Sequence, residues 1–291
     1  MMLHPENIEV VLKILIPVML MFMTSLVLAQ SRRSCCETAT SQFASFTSDA
    51  RFTAAHLAPE PLSFTPQTGS FISIKTLDGK DARVFEVKAA RDTRNFVLMI
   101  HEWWGLNDYI RREAENLQKE LGDATVLAVD MYDGNVATTP EQAGAYMKAV
   151  DEKRARAIIS GVLNSLPADA RIGTIGWCFG GGWSMQTTLM AEQRAKACVI
   201  YYGMPEMDGE KLSALAAPVL GIFGKKDQWI SPKVVADFQS AMKKAKKNLT
   251  VKSYDAEHAF ANPSNPKHNA KAAADSHKRA LAFFKKNLLH G

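Results

Sequence analysis

A short apolar run that ends in a glycine-rich turn limits the fold of this 291-residue chain more than any other stretch. Residues 172–175 predict a buried strand, residues 176–182 a sharp turn with the sequence Gly-Trp-Cys-Phe-Gly-Gly-Gly, and residues 183–191 a helix. In a nucleophile elbow the reactive side chain stands on such a turn, and flanking glycines let backbone segments approach closely. Cys178 occupies the turn, where N–H groups of the following helix would stabilise a thiolate. A small packing residue is the alternative interpretation of Cys178.

Strand and helix patterns alternate along most of the chain. A hairpin pattern covers residues 71–87, and buried-strand patterns follow at residues 96–100, 125–129, 172–175, 197–201, 219–223 and 249–254. Helical patterns cover residues 110–121, 141–166, 183–191, 210–215, 232–245 and 267–289. Because strands that alternate with helices need crossover connections, we predict one α/β domain over residues 70–291. Its central sheet is mostly parallel, with helices on both faces and an antiparallel hairpin at the N-terminal end.

The first segment has the pattern of a targeting signal. Lys13 precedes an apolar run over residues 14–28. We predict a signal peptide over residues 1–29 that is cleaved after Ala29 during export to the periplasm or the medium, with an uncleaved membrane anchor as the alternative. Residues 30–69 are rich in Ser, Thr, Ala and Pro, which predicts a linker or a loosely docked arm. Cys35 and Cys36 lie in this segment as tail cysteines without a defined role.

Composition and charge argue against a nucleic-acid partner. The chain is 47% hydrophobic and 22% charged, which is ordinary for a globular protein with a sizeable core. The net charge of +5 is mild, and basic residues cluster at 243–247 and 285–286, on segments that predict surface helices. A nucleic-acid-binding face would need aromatic or motif support, which the sequence lacks. We expect a monomer that acts on a small molecule and meets a membrane only if the first segment is left uncleaved.

Residues with reactive side chains follow the predicted buried strands. Glu102 comes just after residues 96–100, Cys178 after 172–175, Asp227 after 219–223 and His258 after 249–254. Sites in sheets of this type lie at the carboxyl ends of the strands. The chain order of nucleophile, acid and histidine is that of the α/β-hydrolases. Taken singly, Asp227 could be a turn residue, His258 a surface histidine and Glu102 a helix cap.

With these residues in place, the chain resembles the dienelactone hydrolase family. The matching motifs are His101-Glu102-Trp103-Trp104-Gly105-Leu106-Asn107, Val129-Asp130-Met131-Tyr132, Gly176-Trp177-Cys178-Phe179-Gly180-Gly181, Tyr201-Tyr202-Gly203, Gly224-Lys225-Lys226-Asp227 and Glu257-His258-Ala259-Phe260. The resemblance implies an α/β-hydrolase fold in which Cys178, Asp227 and His258 form a catalytic triad. It also implies that Glu102 contacts the cysteine and helps to generate its thiolate.

The same resemblance assigns the remaining site residues. The backbone N–H groups of Trp103 and Phe179 would form the oxyanion hole. The residues expected to line the substrate pocket are Trp104, Tyr146, Tyr202 and Phe260. Neither a metal ion nor an organic cofactor is expected.

Two departures from the family pattern bear on the substrate. Family members that hydrolyse dienelactone hold its carboxylate with two arginines, and these positions fall at Gln142 and Asn262. Neither residue is basic, so a carboxylated lactone would need Lys225, Lys226 or Arg154 in that role. The apolar side chains of Trp103, Trp104, Phe179 and Trp229 favour a neutral or aromatic ester instead.

The sequence therefore predicts a hydrolase of carboxylic esters or lactones that acts through a cysteine nucleophile and an acyl-enzyme. Two alternatives belong to other classes of protein. A non-catalytic protein could bind a small apolar ligand on the same scaffold, because fold alone does not establish chemistry. A redox-active thiol protein is the other, although no Cys-x-x-Cys motif accompanies Cys178.

Overall fold

Eight strands form one sheet in the computed structural model, which describes residues 39–290. The strands are β1 (Gly69–Lys75), β2 (Asp81–Val87), β3 (Asn95–Ile100), β4 (Thr125–Val129), β5 (Arg171–Trp177), β6 (Ala195–Tyr201), β7 (Val219–Gly224) and β8 (Leu249–Tyr254). Their order across the sheet is β1-β2-β4-β3-β5-β6-β7-β8. The β1–β2 and β2–β4 pairs are antiparallel, and all the other pairs are parallel. The chain thus has the mostly parallel α/β-hydrolase sheet that the alternating pattern predicts.

The burial of the strands explains their sequences. Every residue of β4 and β7 is buried, and β5 is buried after its first residue, so these strands are continuous apolar runs. The outer strands β1 and β8 are only partly covered and carry polar residues. Because β3, β5, β7 and β8 are parallel neighbours or near neighbours, their carboxyl ends meet at one edge of the sheet.

Nine α-helices lie within the described residues. They are α1 (Ala39–Ser45), α2 (Ala50–Ala55), α3 (Asp108–Leu121), α4 (Pro140–Lys148), α5 (Glu152–Ser165), α6 (Phe179–Ala191), α7 (Gly209–Ser213), α8 (Pro232–Lys244) and α9 (Ala270–Phe284). α3 buries Ile110, Ala114, Leu117 and Leu121, which recur every three or four residues. α6 is buried along most of its length and packs against β5 and β6.

Two helix predictions are wrong in detail. Residues 141–166 form α4 and α5 rather than one helix, because the Asp151 side chain accepts a hydrogen bond from the Lys153 N–H and starts a new helix. No glycine or proline marks this break. The last helix begins at Ala270 rather than 267, with Asn269 as its cap, and continues into a π-helical turn at Lys285–Leu289.

Residues 39–68, the arm, precede the sheet and are more ordered than the sequence pattern suggests. The arm begins with α1, a 3₁₀ turn (Phe46–Ser48) and α2, and the side chains of Phe43 and Phe52 are fully buried. Its remaining part, residues 57–68, contains no helix or strand. Glu115 of α3 accepts hydrogen bonds from the backbone N–H groups of residues 67, 68 and 69, at 2.7 to 2.9 Å. The arm is therefore packed on the domain at both ends.

The predicted signal peptide and the cysteines at 35 and 36 lie outside the described residues. Within residues 39–290, no helix combines the length and the apolar character needed to cross a membrane.

Candidate active site

Cys178 stands on a strained turn between β5 and α6. Its φ is 57°, in the left-handed region that L-residues seldom adopt. The turn closes because Gly176 and Gly180 lack side chains. A Cβ on Gly176 would come within 2.0 Å of the Gly180 carbonyl oxygen, and one on Gly180 within 2.3 Å of the carbonyl oxygens at the end of β3. The glycines on either side of Cys178 are thus steric requirements of the elbow.

Cys178, His258 and Asp227 form a continuous hydrogen-bonded row. The His258 Nε2 atom lies 3.4 Å from the Cys178 Sγ atom, and its Nδ1 atom lies 2.6 Å from an Asp227 carboxylate oxygen. The other oxygen of Asp227 accepts the backbone N–H groups of Trp229 and Ile230, both at 2.9 Å. Asp227 therefore holds the tautomer of His258 in which Nδ1 carries the hydrogen and Nε2 faces the sulfur.

Burial and neighbouring charges have opposite effects on the pKa values of Cys178 and His258. Burial raises the pKa of the Cys178 thiol, while the charge on His258 opposes that rise. Burial alone would lower the pKa of His258, but the adjacent Asp227 carboxylate and Cys178 raise it to about 10. Burial thus disfavours a thiolate at Cys178, while the Asp227 carboxylate favours a proton on His258.

Glu102 follows β3, and its side chain is buried. The Tyr202 hydroxyl donates to one of its oxygens at 3.3 Å, and the Asn262 amide donates to the other at 2.7 Å. Burial raises the pKa of Glu102 to about 7, although these two hydrogen bonds and the charge of His258 oppose the rise. The carboxyl can therefore change charge near neutral pH.

His101 has a positioning role that sequence reasoning did not assign. The backbone N–H of Met131 donates to its Nε2 atom at 3.0 Å, so Nδ1 carries the hydrogen and donates to the Glu102 carbonyl oxygen at 2.6 Å. Burial lowers the pKa of His101 and keeps the ring neutral. The side chain fixes the backbone at Glu102, and the histidine beside the glutamate in the motif is the signal that could have identified it.

The predicted oxyanion-hole residues, Trp103 and Phe179, follow β3 and β5. Phe179 begins α6, and its backbone N–H donates toward the Cys178 sulfur. Trp103 is fully buried, and its carbonyl oxygen accepts the Tyr132 hydroxyl at 3.4 Å. The structure therefore puts an N–H donor of α6 at the Cys178 sulfur.

The predicted pocket residues do not surround one cavity. Trp104 lines a cavity of about 500 Å³ together with Glu102, Asn262, His268 and His277, and the residues that line it do not include Cys178. Tyr146 lines a separate cavity of about 260 Å³ beside Arg154. Tyr202 contacts Glu102, and Phe260 packs against Tyr202 at a ring distance of 5.5 Å. The larger cavity thus borders Glu102 and not the Cys178 sulfur.

The arm covers the nucleophile elbow. The His56 ring stacks on Trp103 at 4.9 Å, and its Nε2 atom lies 3.9 Å from the Cys178 sulfur. The Phe52 ring contacts Trp103 and Trp229, each at 5.1 Å. Cys178 is fully enclosed as a result. Sequence reasoning missed His56, although an aromatic cluster in a segment otherwise rich in small polar residues was an available signal.

The arm adds a third potential metal ligand beside Cys178 and His258. His56, Cys178 and His258 each offer one ligand atom, and these atoms all lie within 4.8 Å of one another. The first of these residues belongs to the arm, so the set could not be read from the triad alone.

The residues at the positions of the missing arginines, and the nearby Arg154, make contacts other than with a substrate carboxylate. Gln142 is exposed at the start of α4, where its side-chain oxygen accepts the Thr138 N–H at 3.0 Å. Asn262 binds Glu102. Arg154 forms ion pairs with Asp78 and Asp133 at 3.1 and 2.6 Å.

The lysines after β7 do not replace the arginines as a buried pair. Lys226 pairs with Asp255 at 3.0 Å, and Lys225 is exposed.

The sheet order and the elbow define an α/β-hydrolase. Comparison with known proteins identifies the family: the model of the dienelactone hydrolase family matches residues 81–288, so the chain belongs to that family. It is a hydrolase of the lactone or ester class.

Individual relatives are distant. Protein usf of Aquifex pyrophilus is 28% identical over 203 residues, which cover 66% of this chain and 88% of the relative. A carboxymethylenebutenolidase of Pseudomonas sp. is 28% identical over 119 residues, or 40% of this chain and 49% of the relative.

Solved structures show the same fold. A dienelactone hydrolase-like promiscuous phosphotriesterase from metagenomic libraries superposes with a TM-score of 0.64 at 20% identity, covering 76% of this chain and 99% of that one. The dienelactone hydrolase of Anabaena variabilis superposes with a TM-score of 0.55 at 17% identity, covering 76% and 100%.

Proposed function

We propose that this hydrolase cleaves carboxylic esters or lactones with Cys178 as nucleophile. The observation that carries the proposal is the row of contacts from the Cys178 sulfur through His258 to Asp227, at 3.4 and 2.6 Å. A nucleophile, a base within reach of its proton and a carboxylate that orients the base are the three parts that acyl transfer needs.

The first half of the reaction forms an acyl-enzyme. His258 Nε2 takes the thiol proton as the sulfur attacks the carbonyl carbon, and the carbonyl oxygen becomes negative. The backbone N–H groups of Phe179 and Trp103 stabilise this oxygen, and one such donor is typically worth ~10²–10³ in rate. Collapse of the tetrahedral intermediate breaks the bond to the leaving alkoxide oxygen, which receives the proton from His258.

The second half restores the enzyme. His258 takes a proton from water, the hydroxide attacks the thioester carbon, and the carbon–sulfur bond breaks. The departing thiolate regains its proton from His258, and the carboxylic acid leaves. Glu102 acts on the first step, because its ionised form disfavours a second negative charge on Cys178 and its protonated form does not.

A neutral or aromatic acyl group suits the site better than a carboxylated lactone. Gln142 is neutral and exposed, Asn262 is neutral and bound to Glu102, and Arg154 is committed to two aspartates. The aromatic rings of Trp103 and Trp229 lie beside the elbow on the domain itself, with the Trp229 ring 5.7 Å from that of His258. In this proposal the substrate reaches Cys178 when the arm moves away.

Hydrolysis of a chromogenic acyl ester tests the mechanism. The full-length protein should turn the ester over and form a transient acyl adduct on Cys178 that intact-mass analysis detects. Cys178→Ala and His258→Ala should abolish both. Cys198→Ala is the matched control, because Cys198 is an equally buried free cysteine in β6 that lies beside Ser184 rather than His258. Equal turnover by the Cys178→Ala variant would contradict the proposal.

We also propose that the chain is exported and acts as a monomer. The apolar run after Lys13 supports export. Intact-mass analysis of the protein from an export-competent host should show cleavage after Ala29, and a full-length mass in the membrane fraction would support the anchor instead. Light scattering after size exclusion should give one chain per particle.

A further inference from the structure

Three buried side chains direct ligand atoms at one point in front of the nucleophile elbow. The Cys178 sulfur lies 3.4 Å from His258 Nε2 and 3.9 Å from His56 Nε2. The Nδ1 atoms of the two histidines face away from the sulfur, and each has a hydrogen-bond partner. His258 Nδ1 lies 2.6 Å from Asp227, and His56 Nδ1 lies 2.7 Å from the Phe52 carbonyl oxygen. Both acceptors require a hydrogen on Nδ1, and both Nε2 atoms face the sulfur.

The row of contacts extends from Asp227 past the Cys178 sulfur to the arm. Its four contacts are Asp227 to His258, His258 to Cys178, Cys178 to His56, and His56 to the Phe52 carbonyl. The Cys178 sulfur therefore faces an imidazole nitrogen on each side, and the three ligand atoms lie within 4.8 Å of one another. A cation at their centre would contact all three.

We propose that His56, Cys178 and His258 bind a Zn²⁺ ion, which locks the arm over the nucleophile. Zinc prefers thiolate and imidazole ligands, and its usual bond lengths in tetrahedral geometry place sulfur and nitrogen about 3.6 Å apart. The two sulfur–nitrogen distances here, 3.4 and 3.9 Å, lie on either side of that value. Outer acceptors on Nδ1, a carboxylate for His258 and a backbone carbonyl for His56, are the partners that zinc-binding histidines usually have.

The ion would join two parts of the molecule that are otherwise held by side-chain packing. His56 belongs to the arm, while Cys178 and His258 follow β5 and β8. On binding, the thiol loses its proton to solvent and the sulfur and the His258 lone pair both become metal ligands. Neither group can then act on an ester, so the bound form is closed and inactive and the metal-free form can open. The binding itself does not depend on the proposed hydrolysis, whereas its inhibitory effect does.

Cobalt titration of the full-length protein tests the site. We use the Cys35→Ser/Cys36→Ser background, without a histidine tag, so that those two cysteines cannot bind the metal. One equivalent of Co²⁺ should produce sulfur-to-cobalt absorption and intense tetrahedral bands, and one equivalent of Zn²⁺ should remove them. His56→Gln should weaken Co²⁺ binding by at least about 100-fold, since loss of an outer partner alone typically costs 10- to 100-fold. Cys178→Ala should remove the sulfur-to-cobalt absorption.

Two matched variants separate this site from other histidines and cysteines. His277→Gln changes a histidine that pairs with Glu113 and Glu120, and Cys198→Ala changes the other buried cysteine. Both should bind Co²⁺ like the parent. Absence of sulfur-to-cobalt absorption in the parent, or equal affinity in the parent and a folded His56→Gln variant, overturns the proposal. A metal-free parent that hydrolyses no ester would count against the proposed function alone and would leave the cobalt spectra unchanged.

Discussion

The loops at the carboxyl ends of the strands and the arm meet at the same sulfur atom, but they are held there in different ways. Cys178 follows β5, Asp227 follows β7 and His258 follows β8, so the register of the parallel sheet sets their positions. The arm reaches the sulfur through the rings of Phe52 and His56. Changes in the strand-end loops should therefore remove activity outright, whereas changes in the arm should alter access by degrees.

Asp227→Asn should reduce activity more than the other variants, because it changes the residue in the strand-end loops that orients the base and leaves the arm unchanged. An asparagine that presents its NH₂ group to His258 Nδ1 would select the tautomer with the hydrogen on Nε2, which cannot take the thiol proton. In a well-studied serine protease the equivalent change costs ~10⁴ in kcat, and a loss of that size is expected here in ester hydrolysis.

Asp237→Asn is the control for this change, since Asp237 is exposed on α8 and pairs with Lys233. An Asp227→Asn variant that kept more than a tenth of the parent kcat would show that the Asp227 carboxylate does not orient His258.

The same contrast explains what could be predicted from the sequence. The strand-end residues were identifiable because buried parallel strands have a distinct apolar pattern and their carboxyl ends must meet. His56 was harder to assign, because the aromatic cluster around it indicates burial but not position: α1 and α2 are too short to show a helical period, and no strand fixes where the arm lies. The break between α4 and α5 was missed for a related reason: it depends on one cap, Asp151, in a run that is otherwise compatible with a helix.

Phe52→Ala should loosen the arm without disturbing the triad. Phe52 is fully buried against Trp103 and Trp229, and truncating a buried phenylalanine typically costs about 3–5 kcal/mol. If about 3 kcal/mol of this belongs to docking of the arm, the open population rises by ~10², because each 1.4 kcal/mol is a factor of ten. Alkylation of Cys178 by iodoacetamide should accelerate accordingly, as followed by intact mass in the Cys35→Ser/Cys36→Ser background.

Phe71→Ala serves as the matched variant, because Phe71 lies on the edge strand β1 beneath the Arg83 guanidinium. It should leave the alkylation rate near that of the parent. Equal rates in the parent and in Phe52→Ala would mean that the arm does not control access to Cys178.

Glu102→Gln should change how the stability of the strand-end region depends on pH. The pKa of Glu102 rises from 4.5 in the unfolded chain to about 7 in the folded protein, chiefly through burial. Between these values the folded state holds a proton that the unfolded state has lost, so stability falls as pH rises from about 4.5 to about 7 and is constant above that range. The shift corresponds to at most about 3 kcal/mol.

Chemical unfolding at pH 5 and pH 8 measures this effect. The parent should lose more unfolding free energy than Glu102→Gln over that interval. Glu141→Gln, at an exposed position in α4, should behave like the parent. A parent and a Glu102→Gln variant with the same pH dependence would show that Glu102 is ionised throughout.

Glu115→Gln should have the smallest effect and should act on the arm alone. One Glu115 oxygen accepts hydrogen bonds from the backbone N–H groups of residues 67, 68 and 69. Burial alone would raise the pKa of Glu115, but these hydrogen bonds outweigh it and lower the pKa. Glutamine keeps an acceptor but loses its charge, which removes about 1 kcal/mol of the charge-assisted part of these bonds. Amide exchange at residues 67–69 should accelerate by roughly fivefold.

Glu120→Gln is the control. It alters the same helix at a residue that binds His277 rather than the arm, so it should leave these amides protected. Because residues 67–69 lie where the arm joins β1, a rise in Cys178 alkylation together with this exchange would mean that the arm opens as one unit. Faster exchange with an unchanged alkylation rate would instead confine the opening to the end beside β1 and leave Phe52 and His56 as the contacts that close the site.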